Sequence, residues 1–233
     1  SGTLWAQEAP RLDDMVVTAS GFEQSVSDAP ASISVISREE LERGHYQDVT
    51  DALRHVPGVI VTGGGAGDNG HDISIRGMPS QYTLILVDGR PQNSRESRPN
   101  GSAGFEQDWL PPLQAIERIE VVRGPMSTLY GSDAIGGVIN VITRKVAQEW
   151  HGNVQLDTVL QESSDSGDSR QANFYLSGPL IDDRLGLQLY GRTSQRDEDN
   201  IINGYEDKSL QSLTARFSLA ASDNHDFTAE AGI

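Results

Sequence analysis

The chain has 233 residues, room for one large domain or two small ones, and carries 18 Lys and Arg against 34 Asp and Glu for a formal net charge of −16. That balance excludes general nucleic-acid binding, which needs a basic footprint, though a local basic cluster can still receive a small anion. There is no cysteine, which excludes disulfides and thiolate metal sites; the longest apolar runs are too short for a transmembrane helix, but a β-barrel, whose strands alternate, stays open.

Residues 1–27 form a polar, poorly periodic arm. Ser1 to Gln7 reads equally as the tail of a secretory signal, with Trp5-Ala6 near a cleavage point, or as a tag scar or natural mature start. Within the arm, Asp14, Met15, Val16, Val17, Thr18 and Ala19 make a short extended segment. Such a segment can add to the edge of a partner's sheet or serve as an edge strand of its own domain.

Residues 28–146 mix short strands and helical turns, the pattern of a small α+β domain. Ala31 to Ile36 predicts a strand. Ser37 and Glu40 make a capping box, and Asp48 caps a second helix that Pro57-Gly58 ends. Strands follow at Val59–Val61 and Ile73–Ile75, around a Gly-rich loop that lacks the Lys-Ser/Thr pair of a phosphate-binding loop. Thr83–Val87 predicts a buried strand closed by an Asp88-Gly89 turn. Next come a helical turn at Leu113–Ile116, a strand at Ile119–Val122 and a last strand at Gly136–Thr143.

Residues 147–233 alternate. Val154, Leu156 and Leu160; Ala172, Phe174 and Leu176; Leu185, Leu187 and Leu189; Leu213, Ala215, Phe217 and Leu219; and Phe227, Ala229 and Ala231 each interleave with polar residues. That predicts five amphipathic strands. The segments 178–183 and 221–225 read as tight turns, whereas 162–169 and 197–209 read as long acidic loops. Short turns at one end and long loops at the other suit an outer-membrane barrel; a soluble β-sandwich with one wet face shows the same alternation. Five strands cannot close a large barrel, so the pattern reads as the opening of one, cut inside its fifth strand.

Arg90, Arg95 and Arg98 crowd a loop that also holds Gln92 and Ser94. In so acidic a chain this is a candidate anion clamp, since guanidinium groups offer forked donors and stack on aromatic rings; a solvated loop with Glu96 as local partner is the other reading. The five histidines are scattered without metal-ligand spacing, and no carboxylate pair or nucleophile setting points to an enzyme.

The segment Ile116 to Arg144, together with Asp72 to Met78 and Thr83 to Gly89 in the same order, resembles the plug signature of TonB-dependent outer-membrane receptors. Asp14 to Ala19 resembles the family's TonB box. Ala29–Ile36, Phe105–Pro112 and Met126–Ala134 are most similar to the ferric catecholate group, which includes colicin I and enterobactin receptors. The resemblance implies an α+β plug inside a 22-stranded transmembrane barrel of the bacterial outer membrane, in contact with its lipid and lipopolysaccharide. The arm would lie in the periplasm and recruit TonB, and the cargo would be a ferric siderophore that itself holds the iron, with no protein-bound cofactor. Arg76 and Arg123 would lock the plug to barrel glutamates, while Arg90, Gln92, Ser94, Arg95 and Arg98 would lie on or near the ligand-facing apex. Colicins or phages could exploit such a receptor. Two other readings stay open: the same fold importing haem, cobalamin or another chelate, and a soluble β-rich binding protein.

Overall fold

The computed structural model describes residues 32–63, 71–92, 110–182, 184–202, 204–222 and 225–233, with the backbone of two further short strands. Those two, β1 (Met15–Val16) and β2 (Gln24–Ser25), pair antiparallel in the arm.

The first body is a five-stranded sheet with helical turns on it. In chain order it contains β3 (Ser32–Ile36), α1 (Arg38–Arg43), α2 (Val49–Leu53), β4 (Val59–Gly63), β5 (His71–Ile75), β6 (Thr83–Val87) and β7 (Arg90–Pro91). β8 (Ile116–Arg123), α3 (Ser127–Tyr130) and β9 (Gly137–Thr143) complete it. Local chemistry sets the boundaries. The Ser37 hydroxyl accepts from Glu40 N–H and starts α1; Asp48 accepts from Asp51 N–H at 2.8 Å and starts α2, each satisfying a donor the helix cannot satisfy itself. Asp88 and Gly89 have φ of 49° and 77°, the left-handed pair that a two-residue hairpin turn demands, and β6 folds back onto β7.

The sheet order is β3-β8-β9-β6-β7, with β6 and β9 parallel and the other neighbours antiparallel. β6 and β9 are interior strands covered on both faces, which is why they read as nearly continuous apolar runs. One face packs Ile85, Ile119, Val121, Ile139 and Val141 against Leu41, Leu53, Val59 and Ile75. The other packs Leu84, Leu86, Val122 and Val138 under Met126 and Ala134. Glu120, fully buried on β8, is paired with Arg118 at 2.9 Å. The β4–β5 hairpin is a separate two-stranded ribbon.

The second body is an antiparallel meander: β10 (His151–Val159), β11 (Ser169–Ile181), β12 (Leu185–Arg196), β13 (Lys208–Ser222) and β14 (His225–Gly232), each paired with the next. Its faces decide between the two readings of the alternation. Val154 is 71% and Leu156 76% exposed, whereas Tyr175, Gln188 and Asn173 are 2–3% exposed. The oily phase points outward and the polar phase inward against the first body. A soluble sandwich would bury the oily phase, so that expectation is overturned in favour of a barrel wall.

Several boundaries differ from the sequence expectation. The segment 178–183 is not simply a turn, because β11 continues through Ile181 with a register shift between Pro179 and Ile181. A bulge there lets a proline sit in a strand without a ladder donor. β12 and β13 run on to Arg196 and from Lys208, since polar residues continue the pairing where the apolar signal has ended. The turn α3, inside the Gly-rich stretch before β9, was not anticipated; it is a single turn without a side-chain cap.

Candidate functional site

The polar inner face of the wall and the end of the first body's sheet meet along one seam. Ser177, Gln188, Arg216 and Glu230 are cross-strand neighbours in a single row near the short-turn end. Alternation points them all inward, so the strand register assembles a polar rung from four strands. The chain leaving β9 is stitched to that rung. The Gln188 amide donates to Arg144 O at 2.7 Å and to the Tyr175 hydroxyl at 3.0 Å. Ala147 N–H donates to the Ser177 hydroxyl at 3.0 Å. The Arg144 guanidinium lies 5.1 Å from the Tyr175 ring centroid, a favourable cation–π distance.

Arg216 is the densest point of the seam. Its Nη2 reaches Asp88 at 3.1 Å, its Nε donates to Glu230 at 2.6 Å and its Nη1 donates to the Thr143 hydroxyl. Asp88 also accepts from Thr143 N–H at 2.8 Å and from its hydroxyl at 2.7 Å. The left-handed turn at Asp88 therefore aims a carboxylate of the first body at a wall arginine 128 residues away. Apolar contact at the seam is slight: Ala115 of the 3-10 turn Leu113–Ala115 sits against Tyr175 and Tyr190. Farther along the wall, Gln114 bonds Gln155, and Gln171 donates to Gln47 O at 3.0 Å.

At the opposite end the long connections are ordered around Asp199. Its carboxylate accepts from Gly167 N–H, Tyr205 N–H and Arg196 Nη2 at 2.6–2.9 Å. These bonds hold its pKa down to about 2, the two backbone donors contributing most.

The sequence-predicted residues fall in several places. Met15 and Val16 lie in β1; Asp14, Val17, Thr18, Ala19, Ser94, Arg95 and Arg98 lie outside the described residues. Arg90 is exposed on β7, and the Gln92 amide donates to Arg90 O at 3.0 Å. Both border the cleft that Asp88, Arg184 and Arg216 also line, so Arg90 stands near the short-turn end, away from the long loops. Arg76 and Arg123 converge on the residues before β4: Arg76 N–H donates to Gly58 O at 2.8 Å, and Arg123 Nη1 to Pro57 O at 2.6 Å. Arg123 pairs across the sheet with Gly137, at the far end of β9 from Thr143, so about 20 Å of strand separate it from the seam. Arg216, Thr143, Glu230, Asp199 and Tyr205 were missed as site residues. Arg216 and Glu230 carried the one available signal, a charge in the inward phase of an alternating strand.

Residues 25–138 match the model of the TonB-dependent Receptor Plug Domain. The chain belongs to the TonB-dependent receptors. Its whole length is 63% identical to 35% of the iron-regulated outer membrane virulence protein of Vibrio cholerae serotype O1. It is 41% identical to the ferrienterobactin receptor of Escherichia coli K12, over 88% of this chain and 29% of that one. The crystal structure of the siderophore receptor PirA from Acinetobacter baumannii superposes with a TM-score of 0.75 at 39% identity, covering 86% of this chain and 31% of the other. The chain thus spans about a third of the length of the relatives it matches. In this outer-membrane receptor the first body is the plug, and the second is barrel wall with its apolar face outward.

Proposed function

We propose that the protein imports a ferric siderophore of the catecholate type across the outer membrane, driven by TonB. The observation that carries this reading is a plug held in a polar socket by a wall whose oily side faces out, in a chain similar to a ferrienterobactin receptor. Residues Asp14–Ala19 form the TonB-binding box: as an extended segment they add a strand to the partner's sheet, with main-chain bonds giving affinity. Arg95 and Arg98 meet the cargo, whose negative charge and aromatic rings suit guanidinium groups. Arg76 and Arg123 lock the plug to glutamates on another sector of the wall. The buried Arg123 Nε, which makes no hydrogen bond among the described residues, supports this assignment.

The test is uptake of radio-iron-labelled ferric enterobactin by cells with and without TonB, with haem and cobalamin as competing cargoes. TonB-dependent uptake that is lost on deleting residues 14–19, with surface binding retained, is expected. Uptake of haem or cobalamin in place of the catecholate would overturn the cargo; uptake unaffected by the deletion would overturn the role of the box.

A further inference from the structure

We propose that Tyr205, set in place by Asp199, is the positioning residue that registers the second long loop of the wall against the plug's β4–β5 hairpin, and that this register sets affinity for the arriving ferric catecholate. The proposal rests on the transport reading above.

The connections 160–168 and 197–207 lie at the end of the wall away from the short turns, which in an outer-membrane barrel is the external end. They are joined to each other. Asp197 N–H donates to Asp168 O and Asn200 N–H to Asp165 O, both at 2.9 Å. The Asn200 side chain donates to Ser164 O at 3.0 Å. Asp199 completes the weld: it takes Gly167 N–H from the first loop, Tyr205 N–H and Arg196 from its own, and returns its N–H to Tyr205 O at 2.8 Å. Tyr205 is thereby gripped at both backbone groups. Its ring is packed by the Arg196 guanidinium, 4.9 Å from the centroid.

So held, the tyrosine points its hydroxyl at the plug. A β-carbon added at Gly63, the last residue of β4, would come within 2.6 Å of the Tyr205 hydroxyl. An added β-carbon there would displace the tip of the tyrosine ring, and the effect is one of space and not of conformation, since Gly63 is absent from the positive-φ glycines. With the hairpin backbone on one side and the welded loops on the other, Tyr205 sets the spacing between plug and external loops. Loops ordered before the ligand arrives lose less freedom on binding it; a loop pair fixed to itself and to the plug is preorganised in that sense.

The experiment uses the full-length protein in outer-membrane preparations, with Gly63→Ala, Tyr205→Ala, their double variant and Asp199→Ala. Two quantities are read: amide hydrogen exchange over 160–168 and 197–207 without ligand, and binding and uptake of ferric enterobactin. Among the described residues Gly63→Ala pushes on the tyrosine, so it is expected to raise exchange in the second loop and weaken binding about five- to tenfold, as for one lost contact. Uptake at saturating ligand should keep its maximal rate, which separates positioning from a general loss of fold. The double variant should be no worse than Tyr205→Ala, and Asp199→Ala should raise exchange in both loops. Additive losses in the double variant, or loop exchange unchanged by Gly63→Ala, would overturn the coupling. Altered exchange with unaltered affinity would overturn its role in binding. A wild-type protein that binds no ferric enterobactin would sink the catecholate reading, while the exchange measurements would still judge the coupling.

Discussion

Replacing Arg216 by Met should open the seam between plug and wall. The side chain is 10% exposed and faces two carboxylates, Asp88 and Glu230, that are 34% and 35% exposed. That partial hydration places the site well short of the low-dielectric limit. The range of about 3–5 kcal/mol for breaking a fully buried pair is therefore an upper bound. Hydrogen bonds to charged groups contribute about 1.5–3 kcal/mol each, and water recovers part of two of them, so roughly 3 kcal/mol is expected. Asp88→Asn keeps an acceptor for Thr143 N–H and should cost about 1 kcal/mol. Because the two residues touch, the double variant should fall short of the sum by about 1 kcal/mol or more. These 233 residues carry no cysteine, so a thiol introduced among them is a distinct reporter. Ala115→Cys, buried against Tyr175 and Tyr190, reports seam opening through its rate of maleimide labelling. A loss of about 3 kcal/mol corresponds to labelling about a hundredfold faster. A labelling rate unchanged by Arg216→Met, or strictly additive effects of the two substitutions, would refute the reasoning.

Three other outcomes follow from the structure. The Asp199 carboxyl titrates at about 2, below its usual 3.8. A depressed folded pKa means that its stabilising effect is full above the ordinary value and is lost as pH falls through the folded one. Amide protection at Gly167 and Tyr205 should accordingly persist at pH 4 and fade only toward pH 2, while in Asp199→Asn it should be weaker from pH 4 upward and lose that difference toward pH 2. Glu120→Ala leaves Arg118 buried without its carboxylate and should cost the plug about 3–5 kcal/mol, measured by urea unfolding; a loss below 1 kcal/mol would mean that the pair is hydrated. Phe174→Arg places a charge on the outward face of β11 and should lower stability by about 2–4 kcal/mol if that position is mid-membrane, read as reduced assembly into outer membranes. Normal assembly would argue that this face meets water.

Much of the architecture is local information, and local information is legible. Ser37 and Asp48 announce helix starts because their oxygens bond the next residues' own backbone. The Asp88-Gly89 turn follows from two residues that tolerate left-handed backbone. The wall's period of two shows which side chains share a face, but not whether the oily face is in or out, because a soluble sheet and a membrane wall carry the same alternation. That choice is settled only by what covers each face. The seam was hidden for a different reason. Asp88 and Arg216 look like an ordinary turn residue and an ordinary polar-phase residue, and their meeting depends on how the plug sheet is set against the wall. The Tyr205–Gly63 approach is equally non-local. Of the arginine cluster, Arg90 stands beside the cleft near the short turns, while Arg95 and Arg98 lie outside the described residues.

The kinds of contact at the seam bear on how a plug can be both secure and movable. Inside the plug, cohesion is apolar and continuous across both sheet faces, so pulling the sheet apart exposes hydrocarbon to water. At the seam, cohesion comes from the rung Ser177–Gln188–Arg216, the carboxylates of Asp88 and Glu230 and the main-chain groups of residues 144–147. Each of these can exchange its partner for water, and the buried apolar cluster at the seam, among the described residues, is Ala115 with two tyrosines. Net hydrogen-bond contributions of about 1 kcal/mol are small beside the loss of a packed core residue at about 2–5 kcal/mol. A load applied to the arm therefore meets a boundary of polar contacts that water can replace one by one, while the body it pulls on keeps its core. Geometry adds direction: the stitching lies at the Thr143 end of β9, and Arg123 lies at the other end, across the sheet from Ser32 at the start of β3. The first strand of the sheet thus begins at the end remote from the Thr143 seam, so a pull applied there crosses the length of the sheet before it reaches the Arg216 contacts.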